Sequence, residues 1–238
     1  MLTGFLRGGA RLHLNFVGGV LITSAPVLIV HRVLGNAPTG EFQLASQLVQ
    51  MLAIAPQAAA LVIAHRISEQ GADAAWGVHR RLILGVLSGL GVLAVLAALL
   101  APHVVPLLGG RRFIAAIPTF RVLLLTLPGA ALATLVAPQW IARGHLVALS
   151  VISVSFGAML TVTLLKVVPR WGVAGAAWAM VSIYAIAALI QFGMIWVLER
   201  KSRSNAGTLG TPPGTPGAPG APGALEAAVS PAVVVLPG

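Results

Sequence analysis

Cysteine does not occur anywhere in these 238 residues. Its absence excludes a disulfide framework and any thiolate metal site. Charge is nearly as scarce: Asp, Glu, Lys and Arg make up 8% of the chain, and only five residues are acidic. A soluble domain of this length needs far more charge to cover its surface. The acids are Glu41, Glu69, Asp73, Glu199 and Glu226, all at span ends, in loops or in the C-terminal segment. That leaves no carboxylate in the middle of an apolar run, so no carboxylate-based proton or sodium site is visible. His13, His31, His65, His79, His103 and His145 are spread over separate loops and helix ends, with no metal-ligand spacing and no HExxH pattern. A phosphate-cradling glycine loop is also missing. The expectation is a protein that is not an enzyme and uses no metal and no cofactor.

What remains is apolar. Hydrophobic residues make up 58% of the chain, and the mean hydropathy is +0.95. Such a chain is most simply solvated by a lipid bilayer. The net charge of +10 does not point to nucleic acid, because the basic residues stand singly or in pairs between apolar runs. Six apolar stretches are long enough to cross the hydrocarbon, at about 14–34, 42–64, 82–101, 114–141, 145–167 and 172–198. The expected fold is therefore an all-α integral membrane protein. It has a lead at 1–13, a six-helix transmembrane lobe at 14–201 and a disordered Gly/Pro/Ala-rich tail at 202–238. The fourth stretch carries Pro118, Pro128 and Pro138 and is expected to be one kinked helix. The first is not expected to be a cleaved signal peptide. It is too long, and its small-residue site "TSA" is followed by Pro26.

Lys and Arg set the orientation. One side holds Arg7, Arg11, Arg66, Arg80, Arg81, Arg143, Arg200, Lys201 and Arg203; the other holds Arg32, Arg111, Arg112, Arg121, Lys166 and Arg170. That bias of nine against six places both termini in the cytoplasm.

Two patterns stand out within the spans. Small residues at Gly85 and Gly89, and at Gly172, Gly175, Ala176 and Ala179, give two helices faces on which backbones can approach closely. Ser150, Ser153, Gly157 and Thr161 form a milder packing face in the fifth span. The second span is different. Gln43, Gln47, Gln50 and Gln57 lie within about 80° of one another on a helix, with Ser46 beside them. Such a stripe should not face lipid. It faces either neighbouring helices, through interhelical hydrogen bonds, or a water-filled cavity. Neutral amides with donors and acceptors suit hydroxyl-rich ligands such as sugars. Arg32, Arg111, Arg112 and Arg121 are candidates for binding a phosphate in two-point fashion, or for snorkelling to headgroups. Arg121 and Gln139 are expected on one face of the fourth span.

Three segments in order resemble a family. "VLIVHRVLGNAPTGEFQLASQLV" carries Arg32, Leu34, Gly35, Gly40, Phe42 and Ala45, with His31 where the family commonly has Asp. "VVPLLGGRRFIAAIPTFRVLLL" carries Leu108, Gly109, Phe113 and Ala116. "VPRWGVAGAAWAM" carries Pro169, Gly172, Gly175, Ala176, Ala177 and Ala179. Over residues 14–200 these look like the C-terminal half of polysaccharide and lipid-linked oligosaccharide flippases, of the multidrug/oligosaccharidyl-lipid/polysaccharide exporter superfamily. The resemblance implies one lobe of a pseudosymmetric inner-membrane transporter working by alternating access. One lobe cannot enclose a site, because repeat transporters bind substrate between halves. The implied partners are the bilayer, a lipid-linked saccharide substrate, and a second six-helix lobe or a second copy. The alternative is a membrane interaction or scaffold protein, or a degenerate half-transporter, that transports nothing.

Overall fold

Pro56 and Pro128 decide where two helices stop. Proline has no amide hydrogen, so the carbonyl four residues earlier loses its donor. Helix α2 (Asn36–Leu52) ends four residues before Pro56, and α5 (Ala116–Leu124) ends four residues before Pro128. Each chain resumes at once, as α3 (Ile54–Gln70) and α6 (Leu127–Ala142). The other helices are α1 (Leu2–Leu34), α4 (Trp76–Gly109) and α7 (Leu146–Thr208), with a 3-10 turn at Arg111–Phe113. The structure is a computed structural model and describes residues 2–208, with side chains described for 16–197 and for Arg200. No strand occurs among the described residues. Contacts divide the chain into Met1–Leu198 and Glu199–Gly238. Of the second unit only 199–208 are described, and they are helical. The rest of the expected tail lies outside the described residues.

Four stretches are long and apolar enough to cross a membrane: Phe16–Leu34, Asn36–Gln70, Trp76–Gly109 and Leu146–Val197. The pair α5–α6, bent by 43°, makes a fifth where the two count as one span. The all-α fold holds, and four to five helices have the length and apolarity to span a membrane. Several details differ from expectation: the second span is two helices, and helical structure extends into expected connections, α2 beginning at Asn36 and α4 running from Trp76 to Gly109. The fourth span is two helices, not one kinked helix, because Pro128 strips the donor from the Leu124 carbonyl. Arg121 and Gln139 therefore stand on different helices and share no face. The expected loop between the fifth and sixth spans is also missing, since helical structure runs through "KVVPRWG". A single residue, Gly172 (φ 61°, ψ −146°), leaves the helical region there. Only glycine enters that region without strain. A Cβ on Gly175 would lie 2.7 Å from Val167 Cγ1. Eight residues of straight helix would separate them by about 12 Å, so α7 turns sharply at Gly172.

Lipid offers apolar side chains no driving force to associate, so close backbone approach holds such bundles together. The main core gathers Phe42, Ala45, Leu123, Leu127, Leu160, Leu164 and Ala176. Gly18 of α1 faces Ser153 and Val154 of α7, and Gly157 faces Leu21 in return. A Cβ on Gly129 would run into the Tyr184 carbonyl. By contrast, Gly85 and Gly89 look into open space, and their small-residue face meets nothing among the described residues of this chain. Gly175, Ala176 and Ala179 do sit against neighbours, while Gly172 serves the turn.

One end of the bundle is tied by a polar knot. His79, 2% exposed, donates from Nε2 to the Leu135 carbonyl at 2.9 Å. Its Nδ1 then accepts from Gln139 Nε2 at 3.1 Å, which fixes a neutral imidazole. Gln139, fully buried, also donates to the Ala72 carbonyl at 3.3 Å. Arg143 reaches Gln139 Oε1 at 3.4 Å and pairs with Asp73 at 2.6 Å. Every buried member has a partner, the condition under which such a network rigidifies a fold.

Candidate substrate groove

The glutamine stripe opens onto two adjoining cavities. One, of about 560 Å³, is lined by Gln43, Ser46, Gln47 and Gln50 of α2 and by Thr23, Ser24, Val27 and Leu28 of α1. The other, of about 520 Å³, lies deeper. It takes Ser46, Gln50 and Gln57 from the stripe, Thr126 and Thr134 from the α5–α6 arm, and Tyr184 from α7. Thr23, Ser46 and Gln50 line both, so the two form one groove. Its apolar wall includes Phe42, Leu123, Leu127 and Met180.

The hydrogen-bond state of these groups sets what the groove offers. The threonine hydroxyls donate to their own helices: Thr23 to the Gly19 carbonyl at 3.0 Å, Thr126 to Leu123 at 2.6 Å and Thr134 to Ala130 at 2.9 Å. Each hydroxyl keeps lone pairs with which it can accept. Ser46 Oγ is buried and has no partner. Among the described residues the amides of Gln43, Gln47, Gln50 and Gln57 and the Tyr184 hydroxyl are likewise unengaged. A buried hydroxyl without a partner costs about 1–3 kcal/mol, so Ser46 is poised for water or a ligand. No charged side chain lines either cavity. The arrangement binds neutral groups that both donate and accept, beside an apolar body.

The candidate arginines are not brought to this groove. Arg32 is exposed near the end of α1 and lines neither cavity. Arg112 stacks over the Phe113 ring at 5.1 Å, and that ring touches Gly40 at the start of α2. Arg121 has a different occupation. Its Nε donates to the Ala98 carbonyl at 3.0 Å. Residue 102, four positions on, is Pro102, which has no amide to offer Ala98. Arg121 fills the gap that the proline leaves. Arg121→Gln is expected to lower stability by about 1 kcal/mol. Pro102→Ala, which restores an amide donor to Ala98, should erase most of that loss in the double variant. Thermal unfolding of all four proteins in detergent checks the coupling.

Thr23, Ser24, Thr126, Thr134 and Tyr184 were not anticipated as groove residues. A signal existed for some of them. Thr126 and Thr134 are two turns apart on one face, and Tyr184 is the chain's single tyrosine, set within an apolar helix. Taken together, the fold and groove define an all-helical protein with four to five helices long and apolar enough to cross a membrane and a polar cleft between them. Comparison with known proteins finds no matching family, no matching curated protein and no matching solved structure. The functional argument therefore rests on the groove and the sequence.

Proposed function

We propose that this chain is one lobe of an inner-membrane transporter that flips a lipid-linked saccharide by alternating access. The observation that carries the reading is the groove: unengaged amides and hydroxyls, no charge, and an apolar wall within the lipid-spanning region. A saccharide presents hydroxyls that donate and accept, and each finds a neutral partner there. The apolar wall suits a ligand with a hydrocarbon part. The phosphate of such a substrate would stay at headgroup level, beside exposed Arg32 and Arg112, and Arg121 would act only by holding α5 to α4. The sharp turn at Gly172 supports reading α7 as two crossings, giving six in all with both termini cytoplasmic. The three segments that resemble oligosaccharide flippases point the same way.

The test uses the absence of cysteine. Single cysteines at 43, 47 and 50 are expected to react with a membrane-impermeant thiol reagent, and Cys at buried Leu48 to stay protected. A lipid-linked saccharide added beforehand should slow labelling at 47 and 50. Labelling at all three positions that no saccharide lipid slows would remove the substrate reading. Protection at all three would favour a packed seam, and with it the non-transporting scaffold.

A further inference from the structure

The two parts of the groove share three residues, Thr23, Ser46 and Gln50. Each has something different left to offer. The Thr23 hydroxyl donates to the Gly19 carbonyl at 3.0 Å, so toward a ligand it can only accept. Gln50 is exposed, and its amide stands on a long arm that can follow almost any neutral polar group. Ser46 has neither that restriction nor that freedom. Its hydroxyl stands on a single carbon, and the flanking Phe42, Ala45 and Val49 are buried. Among the described residues its Oγ is the one buried side-chain oxygen or nitrogen without a hydrogen-bond partner. Serines elsewhere in the bundle turn back on their own helix, Ser150 to the Leu146 carbonyl and Ser182 to the Trp178 carbonyl, both at 2.9 Å. Ser46 does not.

A hydrogen bond to a ligand adds little where it replaces one already made to water or protein. At Ser46 there is no earlier bond to give up, so a ligand group that supplies a partner gains the whole interaction. The gain is selective. A hydroxyl at that point can accept the Ser46 proton or donate to its lone pairs. A methylene leaves Ser46 unpaired, and an ionised group would lie among lining residues none of which is charged. Sites that must pair a polar group of their own discriminate more sharply than apolar pockets do.

Resting on the substrate reading of the groove, we propose that Ser46 is its specificity-determining residue and selects a neutral saccharide hydroxyl at the junction of the two cavities. The glutamines hold the rest of the saccharide without choosing among its hydroxyls, because an amide on a long arm adapts to donor and acceptor alike. A saccharide with an ionised group at the junction is rejected. Ser46 acts here by binding and not by holding the bundle together, so its loss costs the fold no hydrogen bond.

The reporter is the single-cysteine variant Gln47→Cys in native membrane vesicles; residue 47 lines only the outer cavity, so the junction stays intact. The probes are octyl glucoside, below its micelle concentration, and its four monodeoxy analogues. Labelling by a membrane-impermeant thiol reagent is followed against probe concentration. Octyl glucoside is expected to slow labelling, and at least one analogue to need about tenfold more for the same effect. Adding Ser46→Ala should weaken octyl glucoside by about the same factor and close the gap to that analogue, with an unfolding temperature in detergent no lower than before. A gap that survives Ser46→Ala, analogues all equal to the parent glucoside, or no slowing by octyl glucoside would overturn the proposal. So would a destabilised Ser46→Ala protein, since the hydroxyl would then be paired within the fold. If the alkyl glucosides show the Ser46 dependence while lipid-linked saccharides never slow labelling, Ser46 stands as the selector and the transport reading falls. If lipid-linked saccharides slow labelling equally with and without Ser46, the transport reading stands and the selector falls.

Discussion

Gly129→Val is expected to lower stability by about 3 kcal/mol, the upper end for overpacking a helix contact. Gly129 is buried where α6 crosses α7, and its missing side chain lets α6 lie on the Tyr184 backbone. A Cβ there meets a carbonyl oxygen and carbon rather than a movable side chain. Relief requires the helices to part, and in lipid such contacts are the main source of cohesion. Because Tyr184 and Ala130 line the inner cavity, parting the helices also reshapes the groove. Gly89→Val is the matched control. Gly89 faces open space, so the change should stay within about 0.5 kcal/mol. Thermal unfolding in detergent, together with thiol labelling at position 50, reads both effects. Equal losses for the two variants would show that the α6–α7 approach is not tight.

Gln139→Leu should be similarly damaging, at about 3 kcal/mol, for an unrelated reason. The leucine fits the volume but carries no polar group. It removes the donor to His79 Nδ1 and to the Ala72 carbonyl, and the acceptor for Arg143. Buried groups stripped of a partner cost about 1–3 kcal/mol each, and here they are removed together. Replacing His79 and Gln139 at once with apolar residues should cost less than the two single losses summed, since their mutual bond is then lost once and neither is left facing an apolar replacement of the other. Trp76, in edge contact with His79 at 5.5 Å, and Trp140, which donates to Gln191 Oε1 at 3.0 Å, sit beside the knot. Their fluorescence follows its loss during unfolding. A tolerant Gln139→Leu variant would mean that water repairs the knot.

Composition and periodicity alone determined the helical class, the membrane-crossing length of the apolar runs and the polar stripe. An apolar, charge-poor chain can satisfy its backbone in lipid only as helices or a closed barrel, and its apolar runs have helix-spanning length. The stripe was legible because Gln43, Gln47, Gln50 and Gln57 repeat at the helical period. Whatever needed two distant segments to meet was not legible. Arg121 looked free for a phosphate because sequence does not show that Ala98, left without a donor by Pro102, lies beside it. His79 and Gln139 are sixty residues apart, and only the packing of α4 on α6 makes them one buried pair. Gly85 and Gly129 look alike as small residues in apolar runs. The tertiary structure alone puts backbone against one and leaves the other facing outward. The physical reason is common to all three: helical period follows from local geometry, whereas partner choice follows from which faces the folded chain brings within contact distance.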